Sequence, residues 1–416
     1  MQRNARKVKT PMSQPLLTPT VLRRASLDAV LGFAWDADAF TASDVIDDVG
    51  VTRSTAIDVI DELVARGLLA ELPNARAVGD YSKGRPARRF SFRPESGYVV
   101  GLDAGRAHLT ATVADFRGVA KAVRRMVVDA SKDSPDARRR DAARIVDDAL
   151  QAAAISRSDV AALCVGVPAP VDRNGISPPH RDDFWRRMNP EFSELFGEWA
   201  PLVRVENDAS LAAVAERAVG AAVGFDDFVA LLAGERLGAG VWVDGRLLRG
   251  AHGGAAEMVA FDHVSGVGGA WGLGYRAADL ARRALAEGSL PAGSALRRLD
   301  ADAIDGKTVL TLAGQGDTGA LEIARQVGET LAIVAGVLGS LFDSRRIIVS
   351  GAVAAGAGPV ISAAVDALPQ ELDLPVPEIV ASTLGADIVS TGAVWAAVEA
   401  ARGGVLDLPA FAAAAA

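Results

Sequence analysis

The chain has few of the residues that define several common protein classes. Its 416 residues include one cysteine, Cys164, so no disulfide can form within the chain, and neither a disulfide-stapled secreted domain nor a cysteine-rich zinc module is expected. Aromatic residues make up only 5% of the sequence. The longest mostly apolar stretch, residues 331–342, is shorter than the ~20 residues that span a bilayer. The basic N-terminus is not followed by the apolar segment of a secretory signal. We therefore expect a cytoplasmic protein that does not interact with membranes.

Apolar residues are abundant, and charge is distributed unevenly. Half of the chain is hydrophobic and 23% is charged, which is enough to order several cores. Residues 1–95 contain 14 Lys and Arg against 12 Asp and Glu, a net charge of +2. Because the whole chain carries −8, the remainder carries −10. A mildly basic front joined to an acidic body favours nucleic acid as a partner at one end, although a solvated tail has the same pattern.

The first hundred residues have the spacing of a helix-turn-helix. Apolar positions predict a first helix over about 21–35. The segment 41–44 (Thr-Ala-Ser-Asp) is a Ser/Thr-x-x-Asp/Glu helix start. Gly50 can adopt the left-handed turn that ends the short helix after it, and Thr52 is a good N-cap for a second helix over 53–64. Two short helices joined by a tight glycine-containing turn are typical of this motif.

A basic segment ending in a strand follows the two helices, and together they predict a winged helix-turn-helix. Phe90 and Phe92 alternate with polar residues, which indicates a strand, and the arginines before them suit the minor groove. The first residues of the second helix would face the major groove, where an arginine can bind guanine. The predicted DNA-binding residues are Thr52, Arg53, Ser54, Thr55, Lys83, Arg85 and Arg88. The alternative is an ordinary helical hairpin, and Asp58 and Asp61 would repel phosphate if they faced DNA.

The rest of the chain contains two similar strand–turn–strand units, over about 98–114 and 228–243. Such a pair favours two related lobes that face a cleft, with small turns that let backbone N–H groups approach a phosphate; two unrelated hairpins are the alternative. Between them, a strand over 202–205 leads to Asp208 at the start of a helix. A carboxylate at such a junction can serve as a general base or simply as a helix cap.

Six short segments stand in a characteristic order along the rest of the chain. They are 101–105 (GLDAG), 166–172 (GVPAPVD), 206–209 (ENDA), 244–253 (DGRLLRGAHG), 255–257 (AAE) and 347–351 (IIVSG). In order and spacing these segments resemble the ROK family, which groups repressors, open reading frames and sugar kinases. The resemblance runs from the helix-turn-helix to about Ala401. It implies an α/β fold in which an N-terminal winged helix-turn-helix precedes a two-lobed, actin/hexokinase-like domain, usually in a homodimer or homotetramer.

The resemblance also implies a sugar site. In the family, an Asn-Asp pair and a glutamate bind sugar hydroxyls, and the aspartate is the catalytic base of the kinases; carried over, these residues are Asn207, Asp208 and Glu257. Trp185 is a further candidate that could stack on a sugar, with packing between elements as the alternative. The positions that match the family's nucleotide loops are Asp103, Gly105, Gly234, Gly238 and Gly351.

Departures from the family pattern decide between kinase and regulator. Family kinases have Asp-x-Gly-Gly-Thr in the first loop, where this chain has Arg106 and Ala107 in place of Gly-Thr. In the second loop, Glu235 puts a carboxylate where a triphosphate would lie, and like charges at close range repel strongly. We therefore expect no ATP binding and no catalytic residue, with Asp208 as a vestigial base.

The family's zinc segment has no counterpart either. Val259 and Ala260 stand where the family has Gly-His, and no cysteine follows. The family glutamate after those cysteines is missing as well, so two sugar contacts are lost. We expect no metal and no other cofactor.

Together these features predict a DNA-binding transcriptional regulator, a repressor of carbohydrate genes, that uses a degenerate sugar-kinase domain as its sensor. Its expected partners are double-stranded operator DNA, a sugar or sugar phosphate effector, and further copies of the chain. One alternative is an active hexose kinase with a DNA-binding appendage. Another is a constitutive DNA-binding protein whose kinase-like body only dimerises.

The predicted division of the chain has five parts. They are a tail (1–20), the winged helix-turn-helix (21–96), a first lobe (97–224, with a C-terminal helix over 386–402), a second lobe (225–385) and a C-terminal tail (403–416).

Overall fold

The computed structural model describes residues 18–73, 87–129, 134–368 and 375–411. They form two compact units. We call residues 1–96 together with 405–416 the terminal unit, and residues 97–404 the main unit. No helix in the described ranges is long and apolar enough to cross a membrane.

The terminal unit combines three helices with a small antiparallel sheet, whose strand order is β1-β3-β2. Its elements are α1 (Pro19–Asp36), β1 (Phe40–Thr41), α2 (Ala42–Val49), α3 (Arg53–Ala65), β2 (Leu69–Leu72), β3 (Arg89–Phe92) and short 3-10 helices at Pro94–Ser96, Val405–Asp407 and Pro409–Phe411. This is the architecture of a winged helix-turn-helix.

Local capping explains where the helices of this unit begin and end. The Thr41 side chain accepts a hydrogen bond from the Asp44 N–H, and the Asp44 carboxylate accepts one from the Thr41 N–H, a capping box. Gly50 ends α2 at φ +75°, a left-handed conformation that favours glycine. Thr52 accepts from the Thr55 N–H and starts α3. The helix-turn-helix geometry therefore follows from these local residues.

The first lobe of the main unit is built on a five-stranded sheet of order β6-β5-β4-β7-β8. Strands β4, β7 and β8 are parallel, and β5 and β6 are antiparallel to their neighbours. All eight residues of β7 are buried, as expected for a central strand covered on both faces. The elements are β4 (Tyr98–Ala104), β5 (His108–Asp115), β6 (Ala120–Val127), α4 (Pro135–Ala153), β7 (Val160–Val167), α5 (Phe184–Met188), α6 (Phe192–Gly197), β8 (Leu202–Asn207) and α7 (Asp208–Val219).

The second lobe repeats this plan with a five-stranded sheet of order β11-β10-β9-β12-β13, in which β12 lies parallel to β9 and β13. Its elements are β9 (Phe228–Leu232), β10 (Gly238–Val243), β11 (Arg246–Leu247), α8 (Leu273–Ala286), α9 (Gly306–Gly314), α10 (Thr318–Phe342), β12 (Arg346–Ser350), α11 (Gly358–Ala367) and β13 (Glu378–Ala381). The last helix, α12 (Ile388–Gly404), returns to the first lobe and packs against β4, β7 and α7.

The topology places the predicted site residues at one end of each sheet. The parallel strands β4, β7 and β8 end at Ala104, Val167 and Asn207, so the loops that follow them meet at the same edge. In the second lobe, β9 and β12 likewise end just before Gly234 and Gly351. Ligands of α/β folds bind outside the carboxyl ends of such strands.

Candidate functional site

Asn207 and Asp208 are held in place by the first turn of α7. The Asn207 amide oxygen caps the helix by accepting from the Ser210 N–H at 3.1 Å, and its Nδ2 donates to the Ala169 carbonyl at 3.2 Å. The Asp208 carboxylate accepts from the Ala209 N–H at 2.8 Å and from Asn207 Nδ2 at 3.1 Å. The cap of α7 is therefore Asn207, so the prediction of Asp208 as a helix cap is wrong, and its role as a general base stays a prediction.

The charge state of Asp208 depends on two other carboxylates of the main unit. Burial, together with the charges of Asp103 and Glu257, raises the pKa of Asp208 to about 7. A hydrogen bond from the Ala209 N–H opposes the rise. The charges that act on Asp208 come from the end of β4 and from a loop of the second lobe.

The loop that carries Glu257 crosses from the second lobe onto the first. Gly253 lies in it at φ +71°, and a Cβ at this position would lie 1.8 Å from the Val171 carbonyl oxygen, so only glycine fits. Desolvation raises the pKa of Glu257, while the nearby charge of Arg236 lowers it. The Arg236 guanidinium stacks 4.8 Å from the centre of the Trp271 ring. Glu257 is thus a partly desolvated acceptor with one cation close by.

The Asp103 carboxylate is in contact with a histidine side chain of the same loop region. Its side chain is buried, and one of its oxygens lies 3.3 Å from His108 Nε2. This contact raises the pKa of His108. Behind the loop, the buried Arg138 donates to the carbonyl oxygens of Ala104 and Gly105 at 2.8 and 2.9 Å. The first loop is therefore fixed by a histidine on one side and an arginine on the other.

The two loops that match nucleotide-binding segments face each other with opposite charges. Arg106 Nη1 of the first loop lies 3.3 Å from Glu235 Oε1 of the second. Both side chains are about two-thirds exposed, so the pair contributes little to the free energy of unfolding. It nevertheless places a guanidinium and a carboxylate in the space between the loops.

The remaining loop positions are glycines at the ends of second-lobe strands. Gly234 follows β9, Gly238 begins β10, and Gly351 follows β12 at φ +92°. They lie around the second loop, on the side of Glu235. The positions of these glycines are those expected for a nucleotide-binding loop, but Glu235 adds a negative charge to that loop.

Trp185 belongs to the first lobe and is partly buried. It packs against the core of that lobe, and its ring centre lies 4.5 Å from that of His180. This contact is what the packing alternative predicts for Trp185. Stacking of Trp185 on a sugar stays a prediction.

The predicted DNA-binding residues of α3 lie together at its N-terminus. Thr52, Arg53 and Ser54 are exposed, and Thr55 is partly exposed. Arg88 is instead held by its own unit, because its guanidinium contacts Asp61 at 2.8 Å and Glu71 at 2.9 Å. Lys83 and Arg85 lie outside the described residues.

The comparison with known families decides where the chain belongs. The model of the ROK family matches residues 99–400. The chain belongs to the ROK family. The family and the fold predicted from sequence are therefore confirmed, and the fold is supported over nearly the full length by a solved structure. That structure is described as a ROK family transcriptional regulator, homolog of the E. coli Mlc protein; it is 20% identical, with a TM-score of 0.74 over 94% of this chain and 99% of that one.

Other ROK proteins are similar over shorter spans. A ROK family glucokinase from Streptomyces griseus, solved with glucose and AMPPNP, is 25% identical, with a TM-score of 0.58 over 73% of this chain and 100% of that one. A xylose repressor from Bacillus subtilis strain 168 is 22% identical over 213 residues, which are 50% of this chain and 53% of the repressor. The chain thus spans about half the length of the curated relatives that it matches.

The zinc segment of ROK proteins is replaced by a short 3-10 helix, Met258–His263. None of its residues is a cysteine, and His263 is its sole histidine. Within the described ranges, no group of three or more His, Cys, Asp or Glu side chains is arranged to hold a metal ion. The residues present do not fit the family's zinc ion.

Sequence reasoning missed an ion pair next to the ROK sugar motif. Arg249 Nη2 lies 2.8 Å from Glu206 Oε1, and Glu206 directly precedes Asn207. The pair borders a cavity of about 1130 Å³ between β8, β11 and the 172–175 turn. Arg249 is 43 residues from Glu206, so spacing gave no signal for this contact.

The ROK aspartate predicts a pH-dependent change in stability. The pKa of Asp208 is about 7 in the folded chain against 3.8 for the free side chain, so the folded state binds more protons between these values, and stability falls as pH rises through them. Asp208→Asn cannot ionise. We expect its free energy of unfolding, relative to that of the wild type, to rise by about 2–3 kcal/mol from pH 5 to pH 8, measured by urea unfolding. A gap that stays constant with pH would contradict the assignment.

Proposed function

We propose that this ROK protein is a DNA-binding transcriptional regulator, a repressor, whose main unit senses a sugar without phosphorylating it. The similarity to a xylose repressor supports this function. The terminal unit supports it as well, because the exposed first turn of α3 places an arginine and hydroxyl groups where a helix-turn-helix reads DNA.

The observation that favours a regulator over a kinase is the contact between Arg106 and Glu235. Phosphoryl transfer depends on backbone N–H groups and cations that surround the phosphates. Here the second loop offers a carboxylate, and the cation opposite is already paired with it. A triphosphate entering this space would have to displace Arg106 from Glu235 and then lie against that carboxylate. We infer that the chain uses neither ATP nor a metal.

The cleft retains the groups that suit a sugar. Asp208 and Glu257 are carboxylates that can accept hydrogen bonds from hydroxyl groups, and Asn207 is fixed beside them by its own cap. Such a set binds a polyol and needs no phosphate loop. D-xylose and D-glucose are the first effectors to test, since relatives are described with them. Trp185 is a proposed stacking surface at the same lobe.

The proposed mechanism is a shift between two states. Sugar in the cleft favours one arrangement of the lobes, and that arrangement has lower affinity for the operator. We propose that the chain acts as a homodimer or homotetramer on double-stranded DNA. A two-fold assembly would then read an inverted repeat whose half-sites lie a whole number of helical turns apart.

A sugar-binding and turnover experiment separates this function from its two alternatives. The full chain is heated with D-xylose, D-glucose or no sugar, and the same sugars are tested in an ATP-coupled assay. We expect one sugar to raise the melting temperature and no sugar to be phosphorylated. ATP-dependent turnover that disappears in Asp208→Asn would establish the kinase instead. No thermal shift with any sugar would favour a constitutive DNA-binding protein.

A further inference from the structure

The last described residues of the chain are part of the helix-turn-helix unit. Residues 405–411 follow α12 directly, and they belong to the terminal unit although more than 300 residues separate them from it in sequence. Val405 is fully buried, and Leu406 and Phe411 are 6% and 7% exposed. This C-terminal segment is therefore a packed element of that unit.

Arg66 fixes the C-terminal segment to the end of the recognition helix. It is the C-cap residue of α3, and its side chain is only 12% exposed. Its Nη1 donates to the carbonyl oxygens of Leu406 at 3.3 Å and Phe411 at 3.0 Å. Its Nε and Nη2 donate to Glu62 of α3 at 3.1 and 2.6 Å. One planar guanidinium thus joins a carboxylate within α3 to two carbonyls of the C-terminal segment.

A second contact holds the same segment to α1. Arg24 Nη2 lies 2.8 Å from Asp407 Oδ2, and Arg24 also contacts Asp28. This pair is exposed, so it is weaker than the contacts of Arg66. Arg66 is the side chain that ties the segment to the DNA-reading helix itself.

At its other end, the segment continues from a helix packed next to the sugar cleft. α12 contacts α7, whose first residue is Asp208. Gly392 of α12 is so close to α7 that a Cβ there would lie 1.9 Å from the Leu211 carbonyl oxygen. Leu211 is one helical turn from Asp208. A displacement of α7 therefore has to move α12, because close-packed backbones leave no room to absorb it.

We propose that Arg66 is the positioning residue that transmits effector binding to DNA: it makes the recognition helix follow the C-terminal segment, and hence α12. This inference rests on the proposed function. The chain passes from α12 at residue 404 into the 3-10 helix at 405 without a linker. We expect a movement of α12 to be passed along the chain into the segment, and the hydrogen bonds of Arg66 to pass it on to α3.

The test compares Arg66→Ala with Arg23→Ala in the full chain. Arg23 also contacts Glu62 and carries the same charge, but it makes no described contact with the C-terminal segment, so it is the matched control. Affinity for DNA from upstream of the protein's own gene is measured by fluorescence anisotropy at fixed salt, with and without D-xylose or D-glucose. Deuterium exchange of α7, α12 and α3 is measured under the same conditions. Arg66→Gln, which keeps a donor and most of the volume, serves if the alanine variant does not fold.

We expect sugar to lower operator affinity at least about 5-fold in the wild type and in Arg23→Ala, and less than about 2-fold in Arg66→Ala. Sugar affinity should be unchanged in all three. In Arg66→Ala, sugar should still alter exchange in α7 and α12 and no longer alter it in α3, which a merely structural role would not explain. A sugar response equal to that of the wild type would overturn the role of Arg66 alone. A wild type whose operator affinity ignores every sugar would overturn the proposed function, and this inference with it.

Discussion

Arg53→Ala is expected to weaken binding to the specific operator by about 10- to 100-fold, since a bidentate arginine–guanine contact contributes about 1–3 kcal/mol of discrimination. Arg53 is the first residue of α3, and its side chain is exposed beside Thr52, the cap of that helix. No other residue of this turn can hydrogen-bond two acceptors of one base with a charged group. Binding to unrelated DNA should change much less, because it depends on phosphate contacts alone.

The control and the decisive outcome for Arg53 use the same anisotropy titration. Arg23→Ala removes an equal charge from α1 of the same unit, and we expect it to change operator affinity by no more than about 3-fold at fixed salt. If Arg53→Ala and the wild type bind the operator equally, α3 does not read bases through this residue. If both variants lose affinity equally, Arg53 contributes to operator binding through its charge and not through its position at the start of α3.

Asp208→Ala is expected to lower sugar affinity by about 10- to 100-fold, since a hydrogen bond to a charged group contributes about 1.5–3 kcal/mol. The carboxylate lies at the start of α7, with Asn207 held beside it. Isothermal titration calorimetry with the sugar that shifts the melting temperature measures the loss. Asp226→Ala is the control, because Asp226 is an exposed carboxylate of the main unit that contacts only Arg217 among the ion pairs of the described residues.

The dependence of sugar affinity on pH tests whether Asp208 binds the sugar in its ionised form. The pKa of Asp208 is about 7, and the ionised form is the better acceptor for sugar hydroxyls. We therefore expect affinity to rise as pH increases through about 7 in the wild type, and to be flat there in Asp208→Asn. A wild-type affinity that falls as pH rises would show that the protonated carboxyl is the binding form.

Sequence predicts this fold well where the signals are local. The capping box at Thr41, the left-handed Gly50 and the cap at Thr52 each depend on residues within three or four positions, and each holds in the structure. The two strand–turn–strand units predicted over 98–114 and 228–243 correspond to β4–β5 and β9–β10 in the structure. The ROK motifs then gave Asn207 and Asp208 their place.

Contacts between distant residues were beyond such reasoning. Arg106 and Glu235 were each identified as out of place in a nucleotide loop, but 129 residues separate them, and only the fold brings them together. Arg66 and Phe411 are 345 residues apart. The segment after residue 402, expected to be a tail, contains 3-10 helices within the terminal unit.

In the terminal unit, the sequence identified two charged side chains but did not predict that they pair with each other. Arg88 was assigned to DNA from its basic surroundings, and Asp61 was noted as unfavourable to phosphate. In the structure these two side chains pair, so each reduces the effect of the other's charge on DNA.

The burial of Arg138 in the main unit, by contrast, could have been predicted from the sequence. Arg138 lies in phase with Ala142, Ile145 and Ala149 on the buried face of α4.

The measurement that tests the account most directly is a titration of the full chain into DNA from upstream of its own gene, at one near-physiological salt concentration, with and without D-xylose and D-glucose. We predict binding that unrelated DNA does not displace, and an affinity that one sugar lowers at least about 5-fold. Equal affinity for unrelated DNA, unchanged by either sugar, would contradict it.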